Sequence, residues 1–168
     1  MSQQEQRHTI AVLVDNEPGV LARVIGLFSG RGYNIESLTV AEVDHAHGLS
    51  RINVVTRGTA AVIEQIKALL EKLVPVHKVA DLTIEGPHVE RELALVKVAG
   101  DREQLVQALR IADFMHARLV DSAKESFVFE ITGASDEIDA FIDLMEPLGL
   151  SEVSRAGVVA IARGPQGL

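Results

Sequence analysis

The side chains best suited to chemistry in this chain are six histidines: His8, His45, His47, His77, His88 and His116. Only two are close in sequence, in the stretch D-H-A-H at 44–47. Alternate residues of a strand share a face, so a metal ion could bridge His45 and His47 with Asp44 or Glu42. Two histidines leave such a site incomplete, and a solvated hairpin tip is the simpler reading; no metal site is expected. The carboxylate pairs Asp136/Glu137 and Glu90/Glu92 have polar neighbours, the first suited to a helix N-terminus and the second to a linker. No G-x-S-x-G, H-E-x-x-H, Walker loop or G-x-G-x-x-G occurs, and S-G-R-G-Y-N at 29–34 follows a helical pattern rather than a strand. With no cysteine there is no disulfide, thiolate ligand or cysteine nucleophile. No catalytic constellation emerges.

A binding site is better supported. Residues 15–28 read D-N-E-P-G-V-L-A-R-V-I-G-L-F, directly after the apolar run T-I-A-V-L-V. Asp15 or Asn16 is placed to cap a helix, with Pro18 in its first turn. Gly19 is a poor helix former for that same turn. The first turn of a helix presents free N–H groups and a partial positive charge, a natural seat for a carboxylate. A missing side chain at Gly19 would open the approach to those amides. Asn16 offers a donor and an acceptor, and Asn34 is a second amide at the start of the next strand. Together they are able to hold an α-amino acid by its two charged ends. A capped helix followed by a strand-start asparagine explains the same residues, and the physics alone favours that plainer alternative.

The elements that must position these residues are legible from periodicity. Residues 9–14 form a buried strand, and 18–31 a helix with Val20, Leu21, Val24, Ile25 and Phe28 on one face. Gly30 and Gly32 end that helix. Strands are expected at 33–43 and 49–56 around a turn at 44–48, then a helix at 59–73 and a strand at 76–84. E-G-P-H-V-E-R-E at 85–92 reads as a linker. The pattern then recurs: strand 93–99, helix 102–112 using Leu105, Val106, Leu109 and Ala112, strands 115–121 and 126–132, helix 135–147, and a last strand within 150–162. The expected class is α+β, two βαββαβ units of antiparallel sheet with helices on one face. Each unit leaves its other sheet face open, so self-association is expected.

The totals restrict partners. Residues 1–80 carry eight Lys/Arg and eight Asp/Glu; residues 81–168 carry eight and sixteen, which accounts for the net charge of −8. Neither half has the basic face that phosphate-backbone binding needs, and one tyrosine, five phenylalanines and no tryptophan give little base-stacking surface. No run approaches the ~20 apolar residues of a membrane span, and M-S-Q-Q-E-Q-R-H lacks a signal-peptide core. A cytoplasmic protein is expected.

D-N-E-P-G-V-L-A-R-V-I-G-L-F-S-G-R-G-Y-N-I-E-S-L-T-V at 15–40 closely resembles the signature of the small, regulatory subunit of acetolactate synthase (acetohydroxyacid synthase). V-E-R-E-L-A-L-V-K-V and S-R-A-G-V-V-A-I-A-R-G resemble that family too. The resemblance implies an N-terminal ACT domain at 1–84, a ferredoxin-like effector-binding module, and a C-terminal ferredoxin-like domain at 93–168. It implies a chain without a catalytic centre. Its partner would be a large subunit holding thiamine diphosphate, Mg²⁺ and FAD, which condenses pyruvate in branched-chain amino acid synthesis. The small subunit would activate that partner and confer inhibition by valine, sometimes with leucine or isoleucine. The implied valine contacts are Asn16, Gly19, Asn34 and Ile35, with Asp15, Pro18 and Val20 in support. The ligand would lie between the ACT domains of a homodimer, the helix-start loop of one chain facing the Asn34–Ile35 strand of the other. Pro18 stands where some relatives carry serine. The alternative is a stand-alone ACT-type amino-acid sensor serving another enzyme or a transcription factor, which would not co-purify with a thiamine-dependent chain.

Overall fold

β1 (Gln6–Asp15) alternates Ile10, Val12 and Val14 on one face with Ala11 on the other, and all four are buried. A strand apolar on both sides requires cover on both sides. On the first side lie two helices. α1 (Val20–Ser29) buries Val20, Val24 and Phe28, spaced four apart, and α2 (Ala60–Glu71) buries Ile63, Ile66 and Leu70. With β2 (Ile35–Asp44), β3 (Leu49–Gly58) and β4 (Val76–Asp81), β1 forms a four-stranded antiparallel sheet in the order β2-β3-β1-β4. A single helical turn, α3 (Leu82–Glu85), replaces the last residues of the strand expected at 76–84. It starts there because Asp81 turns its carboxylate onto the Thr83 N–H at 3.1 Å. The other oxygen of Asp81 meets His8 Nδ1 at 2.8 Å in a buried pair.

The computed structural model describes residues 4–168. They divide into two units, one made of the chain up to Val89 together with Val158–Leu168, the other of Glu90–Gly157.

The second unit repeats the order βαββαβ. Its elements are β5 (His88–Ala99), α4 (Arg102–Phe114), β6 (Arg118–Ser122), β7 (Ser126–Gly133), α5 (Ser135–Met145), a 3-10 turn at Glu146–Leu148, and β8 (Leu150–Ala162). The sheet order is β6-β7-β5-β8. Its core gathers Val96, Val98, Leu105, Phe129, Ile138 and Phe141, with Phe129 and Phe141 edge to face at 6.1 Å. Val106, expected on the buried face of α4, is partly exposed, and Ala108 takes that face. α4 starts in a capping box: the Gln104 N–H donates to Asp101 Oδ1 at 2.9 Å, and the Asp101 N–H donates to Gln104 Oε1 at 3.0 Å. Asp101→Ala should lower stability by about 1 kcal/mol, read as an earlier midpoint in denaturant unfolding. Gly149, with φ +98°, turns the chain into β8, and a Cβ there would run into the Ala99 carbonyl oxygen.

Two expectations about this region need correction. Residues 85–92 are not a polar linker, since His88 to Glu92 already belong to β5. Glu92 is not a solvated carboxylate either. It is buried, and Arg155 on β8 donates to both its oxygens at 2.7 and 2.9 Å. Ser135 and Asp139 of α5 complete the group: Ser135 Oγ lies 3.1 Å from Glu92, and Asp139 accepts from Arg155 at 2.6 Å. A pairing partner 63 residues away makes the charged start of β5 compatible with a strand.

The outer face of the first sheet is not left wholly open. Its middle row runs Thr39, Asn53, Ala11, Ala80 across β2, β3, β1 and β4. Ala160 and Leu168 pack on Ala11, Ala80 and Leu82 in a small apolar cluster. Alanines in this row let the backbone of 158–162 approach closely. Part of the cover expected from another copy is therefore the chain's own C-terminal segment.

Candidate functional site

The helix-start loop hangs from the end of β1. The Asp15 N–H donates to the Pro75 carbonyl at 2.8 Å and the Asn16 N–H to the Gly48 carbonyl at 2.7 Å, which tie the loop to its neighbours. The Asp15 carboxylate pairs with His77. Neither Asp15 nor Asn16 caps α1, and Pro18 precedes the helix rather than standing in its first turn. The N-cap is Gly19, at φ +86° and ψ −8°, with no side-chain cap. That left-handed conformation is the first reason for a glycine here. The second is space: a Cβ at Gly19 would meet nothing within 4 Å, so the helix start opens outward. By contrast, Thr59 closes the start of α2, Asp101 that of α4, and Glu137 reaches back to the Ala134 N–H at α5. Val20 is buried beneath the loop, while Asn16, Glu17, Pro18 and Gly19 are exposed.

Asn34 and Ile35 lie at the other end of the sheet. Ile35 is level with Thr56 on β3, which is level with His8 on β1. Asp15 is level with Leu49, which is level with Asp44. From the His8 row to the Asp15 row is seven steps, or about 24 Å at ~3.4 Å per residue. Within one chain the four expected contacts thus form two clusters: Asn16 with Gly19, and Asn34 with Ile35. A β-bulge between Ile35 and Ser37 re-aims the start of β2. Asn34 is exposed and its carbonyl accepts from Thr56 Oγ1; Ile35 is half-buried against the core.

The histidines at the β2–β3 turn do not converge. His45 pairs with Glu42 at 3.1 Å and His47 with Asp44 at 2.8 Å, each separately and in solvent. The His47 hydrogen bond holds the Asp44 carboxyl below its ordinary value. Among the described residues no three His, Asp or Glu side chains are grouped to hold a metal ion. No helix among them is long and apolar enough to cross a membrane.

Two family models match successive parts of the chain. Residues 10–78 match a family described as an AHAS small subunit-like ACT domain, and residues 91–164 match the small subunit of acetolactate synthase. A protein of Archaeoglobus fulgidus named "Probable acetolactate synthase small subunit" is 46% identical over 158 residues, 94% of this chain and 98% of that relative. The acetolactate synthase small subunit of Aquifex aeolicus is 44% identical over 161 residues, 95% of this chain and 83% of its own. The chain belongs to the acetolactate synthase small-subunit family. The crystal structure of the small subunit from Thermotoga maritima superimposes with a TM-score of 0.86 at 37% identity, covering 96% of this chain and 99% of that one. The fold of this small subunit is accordingly that of two ACT-like α+β modules.

Residues the sequence reading passed over stand on the outer face of the first sheet. Ser37 and Thr39 on β2 and Arg51 on β3 bond to the segment that crosses it, and Asn53 on β3 bridges Thr39 and Arg51. Their signal was alternation, polar residues two apart on each of two neighbouring strands.

Proposed function

We propose that this small subunit activates a thiamine-diphosphate-dependent catalytic subunit and makes it sensitive to valine, which binds between the ACT units of two copies. The two contributing clusters, Asn16/Gly19 and Asn34/Ile35, are separated along one sheet yet complementary between two. This separation is the observation that carries the reading. β2 is an edge strand with one side unpaired. Antiparallel pairing of β2 with its copy would bring the Ile35 end of one strand to the Asp44 end of the other. The Asp15 row, and the loop after it, lie at that Asp44 end. The open start of α1 suits the carboxylate of an amino acid, and Asn34 with the edge of Ile35 suits its ammonium group and aliphatic side chain. This chain supplies no reacting group; the cofactors and the pyruvate chemistry belong to the larger partner. Valine bound across two copies favours one dimer arrangement through its differential affinity, and the catalytic subunit responds to that arrangement.

The test is calorimetric titration of valine, leucine and isoleucine into the purified chain, followed by an acetolactate assay with the catalytic subunit. Saturable binding of valine and valine-dependent loss of product are expected. A chain that activates its partner but takes up none of the three amino acids would overturn the effector reading.

A further inference from the structure

β8 is one continuous strand, yet its residues up to Gly157 belong to the second unit and those from Val158 to the first. The first-unit portion is gripped by side chains rather than by a β ladder on that face. The Val158 N–H donates to Ser37 Oγ at 2.8 Å, and Thr39 Oγ1 donates to the Val158 carbonyl at 3.2 Å. Asn53 Nδ2 donates to Thr39 Oγ1 at 3.0 Å. Arg51 Nη2 donates to the Ala160 carbonyl at 2.7 Å, and its Nε reaches Asn53 Oδ1 at 3.4 Å. The network is continuous from Ser37 to Arg51 and holds both polar groups of Val158. Such a grip is short-range and directional, and two hydroxyls two residues apart on one strand set the register of the segment they hold.

Ser37 and Thr39 stand on β2, the strand that begins with Ile35. We propose that Ser37, Thr39 and Arg51 form a clasp through which effector binding at the start of β2 is passed to β8 and so to the second unit. The inference rests on the effector reading above. Ordering β2 between two copies fixes Ser37 and Thr39, which fix Val158; Gly157, in a left-handed conformation at φ +91°, joins Val158 to the part of β8 that carries Arg155, whose guanidinium grips Glu92 and Asp139. The element with two arrangements is the 158–162 segment, held or released.

Two measurements test the clasp. Amide exchange on the wild-type chain should slow at Val158 by at least about fivefold when valine saturates. In the reconstituted holoenzyme, Ser37→Ala/Thr39→Val should raise the valine concentration for half-inhibition by at least about fivefold, while calorimetric binding to the free chain weakens by no more than the factor by which valine slows exchange at Val158, because the coupling is reciprocal. Valine that binds the wild type without altering exchange at Val158 overturns the clasp and spares the effector site. So does a double variant inhibited as the wild type is. No heat of valine binding in the wild type overturns the effector site and removes the clasp with it. The exchange arm needs no variant, so a poorly folding double variant leaves the test intact.

Discussion

A holoenzyme carrying Gly19→Asp is expected to lose valine inhibition while keeping its activation by the small subunit. The added Cβ points into open space, so nothing in the folded chain must move to admit it. The backbone cost is that of a non-glycine residue at φ +86°, about 1–2 kcal/mol, and aspartate tolerates that region better than most residues. The new carboxylate stands at the uncapped start of α1, where the effector's own carboxylate would dock. Like charges placed together in a partly desolvated site cost several kcal/mol, so valine affinity should fall at least about a hundredfold. Gly19→Ala is the control: it carries the backbone strain without the charge and should lose much less affinity. Normal inhibition of the aspartate variant would remove this loop from the effector site.

Arg155→Ala is expected to cost about 2–3 kcal/mol of stability. Glu92 is almost fully buried and Arg155 is about one-third exposed, so the loss falls short of the ~3–5 kcal/mol of a wholly buried pair. Replacing both partners, as Glu92→Leu/Arg155→Met, should recover most of that loss because no buried charge is left alone. The pair also sets an acid dependence. Hydrogen bonds from Arg155, opposed in part by burial, hold the Glu92 carboxyl below its ordinary value of 4.5. A lowered folded pKa stabilises above the unfolded value, and that contribution is lost as pH falls through the folded one. The gap in urea midpoint between wild type and Arg155→Ala should be full at about pH 6 and shrink below about pH 4.5. A gap that persists unchanged into acid would show that Arg155 acts through packing alone.

The helices and strands of both units follow from spacing that a reader of the sequence can count. Val20, Val24 and Phe28 mark α1, and Ile63, Ile66 and Leu70 mark α2, because each helix has one face to bury. The continuous apolar run of β1 also announced burial on both sides. It could not say that Ala160, almost 150 positions later, supplies part of the second cover. E-G-P-H-V-E-R-E read as a linker because the partner that neutralises Glu92 lies 63 residues away in sequence. Local composition is blind to such pairings. Asn16, Gly19, Asn34 and Ile35 were assigned by resemblance to a family signature, and the structure divides them between opposite ends of one sheet. Gly19 itself proved to have a conformational reason that its position in the sequence had not given: it is the N-cap, in a left-handed turn.

The first unit is not a contiguous piece of chain. Residues 158–168 complete it, after the whole of the second unit has been written. During synthesis the N-terminal sheet must therefore wait, with Ala11, Ala80 and Leu82 uncovered, until residues 158–168 emerge. The unit made first is the one finished last. Cutting the gene after residue 89 would yield not a free sensor but a sheet with an apolar strip missing its cover, prone to find another strand in its place.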